Sequence, residues 1–393
     1  MLPLGREALP HWPLDPGITY LNHGTVGVTP LRVLAEEQAI RADIERRPAQ
    51  FLLRELSSVA VGQPRAKPPR MREAAARVAA FLGAHEPDLV FVDNATTGVN
   101  AVLRSFDLRA GDEIVVTDLS YGGVVLSAKY AAERSGATVK TVETPAPSAD
   151  GGAIADAIVG AIGPRTRIAI VDHVASESAL ILPLQEIAAR ARAKGTLVLG
   201  DGAHALGMLP VDISSLGVDW YTGNLHKWAW SPRSAGILWA DPKRQPGLHP
   251  TVISWGLGDG IAAEFDWVGT RNPAPYLAAP AGIDLLHEWG LDRVRAHNHA
   301  LAWEAAVTLP RRWGTETPVP ESMVGSMVTL PLPHGLGSTE DDAARLRDAL
   351  LFEDRIEVQI HAFRGRLWTR ISTQVYNDAS DLERLGEVVA ARA

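Results

Sequence analysis

The chain of 393 residues contains no cysteine. Disulfides and thiolate metal sites are therefore excluded, and so is any chemistry that hands sulfur to a cysteine of the chain itself. There is no uninterrupted apolar run of the roughly 18–20 residues that a bilayer-spanning helix needs. The opening MLPLGREALPHW has neither the basic head nor the apolar body of a signal peptide. No membrane partner and a cytoplasmic location are the resulting expectations. Basic blocks are missing too: 38 Lys and Arg stand against 46 Asp and Glu, a formal charge of −8. A nucleic-acid ligand would want a basic face, so that class is disfavoured. Internal repeats and low-complexity segments are absent, and no metal site is expected. What remains is ordinary globular material, 46% hydrophobic and 21% charged, long enough to bury a large core in two or three domains.

The chain is organised around residues 196–240. A short apolar run at 196–199 reads as a buried parallel strand that delivers Asp201 at its C-terminal end, with Gly202 and His204 just beyond. Ligands of open α/β sheets gather there. A second β-rich piece, 219–223, leads into Asn224-Leu225-His226-Lys227-Trp228, flanked by the turn residues Gly223, Ser231 and Pro232. A lysine among bulky apolar neighbours loses its charge readily, and a neutral amine can form a Schiff base with an aldehyde. Asp201 lies 26 residues upstream of Lys227, and a carboxylate so placed suits the pyridinium nitrogen of pyridoxal phosphate, which it keeps protonated as an electron sink. Taken alone, Asp201 still reads as a turn or helix-cap acid and Lys227 as a solvated loop lysine.

Three groups occur in order here: Asp201-Gly202-Ala203-His204, Asp219-Trp220-Tyr221-Thr222-Gly223-Asn224 and His226-Lys227-Trp228. With this spacing the stretch resembles the cofactor-binding core of the class V aminotransferase family of fold-type I pyridoxal-phosphate enzymes, and within it the isopenicillin N epimerase-like branch. The resemblance implies that Lys227 carries pyridoxal 5'-phosphate as a Schiff base, that Asp201 holds the ring nitrogen and that His204 lies beside the ring near its phenolic oxygen. It also implies that Asn224 and His226 bind the cofactor, His226 at the phosphate.

Upstream, 18–30 reads as a short strand breaking into a Gly-rich turn before a helix that starts near Pro30 and is capped by Thr29. Asn22 and His23 read as turn residues; through Leu21-Asn22-His23-Gly24 the resemblance places them on the substrate side of the cofactor. A helix is expected over 31–47, a proline-rich loop over 62–69 and a helix over 70–82 ended by Gly83. A strand, a small-residue turn and a helix follow at 89–104. Backbone N–H groups at such a helix start attract a dianion, although Asn and Thr cap helices everywhere. By the resemblance this is the phosphate cup, with Ala95, Thr96 and Thr97 as donors. The strand at 113–117 leads to Tyr121, which reads as a core aromatic and, by the resemblance, as the ring stacked on the cofactor. Strands at 138–143 and 166–171, with helices near 152–162 and 184–194, continue the alternation of a doubly wound, largely parallel sheet. Asp172 and His173 read as structural hydrogen-bonding partners as readily as site residues; Ser176 beyond them is a cofactor contact by the resemblance.

Past residue 240 the texture becomes turn-rich. Trp267-Val268-Gly269-Thr270-Arg271 reads as a plain loop and, by the resemblance, as a segment that reaches across a dimer interface so that Thr270 binds the neighbouring subunit's phosphate. One helix from 276 through 289 to about 309 would lead to a small sheet of 327–330, 358 and 367–371, packed by helices at 338–351 and 379–391. Arg370 stands on an otherwise apolar strand, and a buried guanidinium needs a carboxylate. An internal salt bridge would supply one; in the family the partner is the substrate α-carboxylate, bound in the bidentate geometry arginine favours.

The expected fold is therefore α/β, a fold-type I pyridoxal-phosphate enzyme. A doubly wound, mostly parallel seven-stranded sheet fills a large domain (19–265). The interface segment, linker helix and smaller α+β C-terminal domain follow (266–393), and an N-terminal segment (1–18) packs on the small domain. The expected activity is α-carbon chemistry on a small-molecule amino acid in a homodimer with shared sites, with Lys227, Asp201 and Tyr121 as catalytic residues and Asn22, His23 and Arg370 facing substrate. Epimerisation is the first reading; C–S lyase and aminotransferase activities are the alternatives, and a non-catalytic binding protein is the reading from another class. Epimerisation needs a second proton donor, for which Tyr121 and His23 are the candidates. A desulfurase is excluded, because no cysteine exists to take the persulfide.

Overall fold

Strands and helices alternate from residue 89 onward in the structure, a computed structural model that describes residues 2–59, 68–145, 150–317 and 319–393. Residues 62–67 of the expected proline-rich loop lie outside the described residues. Seven strands form the large sheet: β1 (Leu89–Val92), β2 (Glu113–Thr117), β3 (Thr138–Val142), β4 (Thr166–Asp172), β5 (Leu197–Gly202), β6 (Trp220–Asn224) and β7 (Gly236–Ala240). Their spatial order is β1-β7-β6-β5-β4-β2-β3, and only β7 runs antiparallel to its neighbours. Alternate residues of the central strands feed two separate cores, Ile168 and Ile170 of β4 on one face and Ala169 and Val171 on the other, as a period of two requires. Helices α1 (Ala95–Ser105) and α2 (Gly122–Ser135) cover the first face; α3 (Gly151–Ala161), α4 (Leu184–Ala193) and α5 (Ala274–Trp289) cover the second. Burial on both faces explains why these strands read as continuous apolar runs.

Two boundaries differ from expectation in ways that matter. Asp201 and Gly202 lie inside β5, paired with Thr222 and Gly223 of β6, because ladder hydrogen bonds continue past the last apolar side chain. The long helix expected over 276–309 is two helices, α5 and α6 (Leu291–Trp313), broken at Gly290 with φ +84°. Only glycine adopts that left-handed conformation without penalty.

A second, antiparallel sheet carries β8 (Met327–Pro331), β9 (Gln359–Phe363) and β10 (Arg366–Ser372) in the order β9-β10-β8. Helices Glu340–Phe352 and α6 pack on it, and helix Ala379–Arg392, expected on the sheet, packs on α6 instead; Glu340–Phe352 and Ala379–Arg392 each start with a capping box. The N-terminal chain is sewn onto this sheet. Thr19–Tyr20 pair in parallel with Ile356–Glu357, Asn22 bridges Ser372, and the amide of Gly5 donates to the Val375 carbonyl at 2.7 Å. Among the described residues no helix is long and apolar enough to cross a membrane.

The segment leading to Thr270 is anchored by a buried ion pair. Arg72, from helix Arg70–Phe81, grips the fully buried Asp266 carboxylate with two parallel bonds of 2.6 and 2.7 Å. Arg72→Ala strands that carboxylate and is expected to lower stability by about 3–5 kcal/mol. Arg77→Ala, which breaks the exposed pair with Asp284, is expected to cost under about 1 kcal/mol. Denaturant unfolding of the two variants in parallel checks the contrast, and equal losses would contradict it.

Candidate active site

At the C-terminal ends of β4, β5 and β6 stand Asp172, Asp201 and Asn224, and the last runs directly into the one-turn helix Leu225–Trp228. A cavity of about 640 Å³ opens there, between the large sheet and β10. Ala95, Thr96, Thr97, Tyr121, Ser176, Asp201, His204, Asn224, His226, Lys227 and Arg370 all line it. Asn22 sits just behind the wall, on Arg370; His23 and Thr270 lie outside. Sequence reasoning missed Thr25 and Gln359 and left Asp172 uncommitted, although all three line the cavity.

Lys227 is buried, and its amine lies 3.0 Å from His204 Nε2. Loss of solvent, helped by the nearby Arg370 charge, pushes Lys227 down to about 7. His204 is held well below its ordinary range, again first by burial, so the ring is neutral. The Trp228 indole N–H points at His204 Nδ1 at 3.5 Å, which leaves Nε2 as the protonated nitrogen. A neutral imidazole thus donates to a neutral amine.

The backbone beneath this lysine is pinned from below. The Lys227 carbonyl accepts from His23 Nε2 at 2.8 Å, and His23 Nδ1 accepts from the Tyr376 hydroxyl at 2.8 Å. Burial keeps this ring neutral, at about 4. His23, expected to face substrate, has both nitrogens committed to the protein and supports the lysine's backbone instead. Gly27 crosses the same turn at φ +67°, where a Cβ would come within 1.9 Å of the His226 carbonyl oxygen. No side chain fits there.

Opposite the lysine, the start of α1 forms a cup. Asn94 caps the helix by accepting from the Thr97 amide at 2.9 Å, and Asn224 Oδ1 accepts from the Ala95 amide at 2.8 Å. Of the three expected backbone donors, Ala95 and Thr97 are therefore engaged within the protein. The Thr97 hydroxyl is engaged as well, donating to Asn94 Oδ1 at 3.3 Å, so the Thr96 amide and hydroxyl remain for an anion, together with the positive end of the helix. His226 adds a ring whose Nδ1 donates to the Ala235 carbonyl at 3.3 Å. Burial and the Lys227 charge hold it at about 4, so Nε2 carries a lone pair until a dianion draws a proton to it. Tyr121, the residue before α2, stands half-exposed at the mouth.

Arg370 is the least satisfied group in the cavity. Its Nη1 donates to the Ser176 carbonyl at 2.7 Å and its Nη2 to Thr25 Oγ1 at 2.5 Å, while Nε has no partner. Among the described residues no carboxylate lies within ion-pair distance of it, and burial lowers it to about 10. The internal salt bridge that the sequence left open is not formed.

Pyridoxal phosphate suits this donor set: a dry neutral amine for its aldehyde, the Asp201 carboxylate at the end of β5 for its ring nitrogen, and a helix start for its phosphate. Sheet order and the lysine after β6 define the fold-type I class of pyridoxal-phosphate enzymes. The chain belongs to the class V aminotransferase family, whose sequence profile matches residues 64–385. It is 33% identical to the isopenicillin N epimerase of Streptomyces clavuligerus, over 98% of both chains. It is 32% identical to a probable chloroplastic L-cysteine desulfhydrase of Arabidopsis thaliana, over 95% of this chain and 83% of that one. Among solved structures, a C-DES variant with glycine covalently linked to its PLP cofactor superposes with a TM-score of 0.75 at 23% identity, over 95% of this chain and 96% of that one. The chain is thus a pyridoxal-phosphate-dependent, class V aminotransferase-like enzyme, an epimerase or a lyase.

If Lys227 is the anchor, capture of pyridoxal phosphate by the cofactor-free chain should speed up as pH rises through about 7 and then level off, because only the neutral amine attacks the aldehyde. Stopped-flow absorbance follows the rate. Borohydride trapping with peptide mass analysis locates the adduct, which Lys227→Ala should lack. A rate still climbing toward the ordinary lysine value of 10.5, or an adduct on another peptide, would rule Lys227 out.

Proposed function

We propose that this enzyme takes the α-proton from an amino acid whose carboxylate rests on Arg370 and returns a proton on the opposite face, the reaction of an isopenicillin N epimerase-like isomerase. The observation that carries the proposal is the buried Arg370 guanidinium without a carboxylate, in the same cavity as an amine that is neutral near pH 7. An α-amino acid brings a carboxylate to the first and an acidic Cα–H to the second. Bound pyridoxal phosphate would supply the electron sink that stabilises negative charge at Cα. Lys227 then moves the proton, His204 orients the amine through Nε2–H, and Asp201 faces the positive ring nitrogen. With His23 engaged on both nitrogens, Tyr121 at the mouth is the remaining proton carrier for the second face. Likeness to the Streptomyces epimerase over 98% of both chains supports this reading.

Elimination of a β-thio group is the second reading. The placement of His23 favours it, since elimination needs one base where epimerisation needs two, and the likeness to the Arabidopsis desulfhydrase is nearly as strong.

We also infer a homodimer with shared sites. Thr270 is exposed and lies outside the cavity of its own chain, and the neighbouring segment exposes Val252, Ile253, Trp255 and Leu257, with Trp255 83% exposed. Contiguous apolar surface of this kind marks an interaction face.

Amino-acid panels in heavy water decide the reaction. An epimerase incorporates deuterium at Cα and yields both enantiomers without keto acid; a lyase yields keto acid, ammonia and thiol in equal amounts. In either case Arg370→Lys should raise KM about 10- to 100-fold with little change in melting, since a point charge cannot replace two parallel N–H bonds. Equal turnover of an amino acid and its decarboxylated amine by the wild-type enzyme would remove Arg370 from the substrate site. For the dimer, co-expressed Lys227→Ala and Thr270→Ala chains should regain the cofactor affinity and turnover that each variant lacks alone. Absence of any gain would mean that Thr270 does not serve its partner.

A further inference from the structure

Two buried carboxyl groups sit side by side where one would serve. Asp172 and Asp201 are register partners at the ends of the parallel strands β4 and β5, which places their backbones about 4.8 Å apart. Asp172 continues the face of Ile168 and Ile170, and Asp201 continues that of Leu199, so both side chains leave the sheet on the α1 and α2 side. Both line the cavity, and they are 4% and 3% exposed. Among the described residues neither has a Lys, Arg or His within ion-pair distance. Like charges this close and this dry cannot both ionise, and the pair must hold a proton.

The surroundings decide which partner holds it. Burial raises Asp201 as well, but its Oδ1 accepts from the Ala203 amide at 2.9 Å, which favours the ionised form. Asp172 has only the Ser120 hydroxyl, the Tyr121 amide and its own amide to favour ionisation, against burial and the charge of Asp201, which together raise it well above the usual carboxylate range. His204 is a further ring on this side of the cavity, and it is neutral. Tyr221, on the other face of the sheet, is pushed upward by burial and by Asp201, so it adds no charge.

We propose that Asp172 is a positioning residue that keeps the proton of this pair and donates it as a hydrogen bond to Asp201, so that Asp201 stays ionised opposite the cofactor's ring nitrogen. The proposal rests on the pyridoxal-phosphate reading of the site. A carboxylate that already accepts a hydrogen bond is a weaker base, so the proton between Asp201 and the ring stays on the ring. The device is thus a second acid that never leaves its own side of the sheet.

Two readouts test it, one without cofactor. In the cofactor-free chain the raised Asp172 binds a proton that the unfolded chain releases near the ordinary aspartate value of 3.8. Its contribution to stability is full below that value and is lost as pH rises toward the folded value. Asp172→Asn keeps an N–H donor but removes the titration. The wild type is therefore expected to lose at least about 3 °C more in Tm than Asp172→Asn between about pH 5 and 8. Parallel curves, offset by a constant, would overturn the proposal, because a merely structural hydrogen bond shifts all pH values alike. In the loaded enzyme, the 15N shift of ring-labelled cofactor should report a protonated nitrogen in the wild type and Asp172→Asn, and a shift toward neutral pyridine in Asp172→Leu. An unchanged shift in Asp172→Leu would also overturn it. Failure to bind the labelled cofactor at all would strike the pyridoxal-phosphate reading, and with it the role toward the ring, while the melting curves still judge the shared proton.

Discussion

A lysine amine kept dry is the constraint on which the rest depends. Water stabilises an ammonium far more than a neutral amine, so Lys227 gives up its proton near neutral pH only because the protein surrounds it. That enclosure takes several elements at once. The Leu225–Trp228 turn aims the side chain, His23 and Tyr376 hold the carbonyl below it, Gly27 lets a second backbone pass close by, and Trp228 sets which nitrogen of His204 meets the amine. The same logic extends to Arg370, which is buried with no carboxylate in ion-pair contact among the described residues, although the Glu177 charge acts on it from the same cavity. Burying a cation unpaired is costly, and the protein carries that cost where an incoming carboxylate can relieve it.

The two sheets contribute opposite halves of this chemistry. The large sheet presents its acids, its lysine and a helix start, all at strand ends where the doubly wound arrangement opens a crevice. The small sheet presents Arg370, braced by Asn22 and Thr25, which follow the N-terminal strand Thr19–Tyr20.

How much of this was legible in the sequence follows from the kind of signal each part leaves. Asp201, His204, Asn224, His226 and Lys227 fall in contiguous motifs, and the structure gathers them into one cavity. Strands buried on both faces announce themselves as apolar runs, so the large sheet was readable, but its ladder runs on through Asp201 and Gly202, where hydrophobicity carries no information. The break at Gly290 was readable and overlooked, since glycine after Trp289 is a plain stop signal. Thr25 was not readable, because it matters only through Arg370, 345 residues away, and Gln359 because only the hairpin register sets it beside Arg370. His23 sat in the right motif, yet its direction depends on Tyr376, which no local pattern links to it. Asp172 was noticed but could not be weighed without the register that sets it beside Asp201.

The sewing of the N-terminal strand onto the small sheet also sets a timetable. Asn22 meets Glu357 across 335 residues and His23 meets Tyr376 across 353. Such pairings wait for nearly the whole chain, and at about 5–20 residues per second synthesis takes tens of seconds. Until then Lys227, though made before Arg370 and Tyr376, has no fixed floor beneath it and no Arg370 across from it. It is an ordinary charged lysine on the nascent chain. Its reactivity is a property of the finished polypeptide, and a ribosome-bound fragment carries the motif without the chemistry.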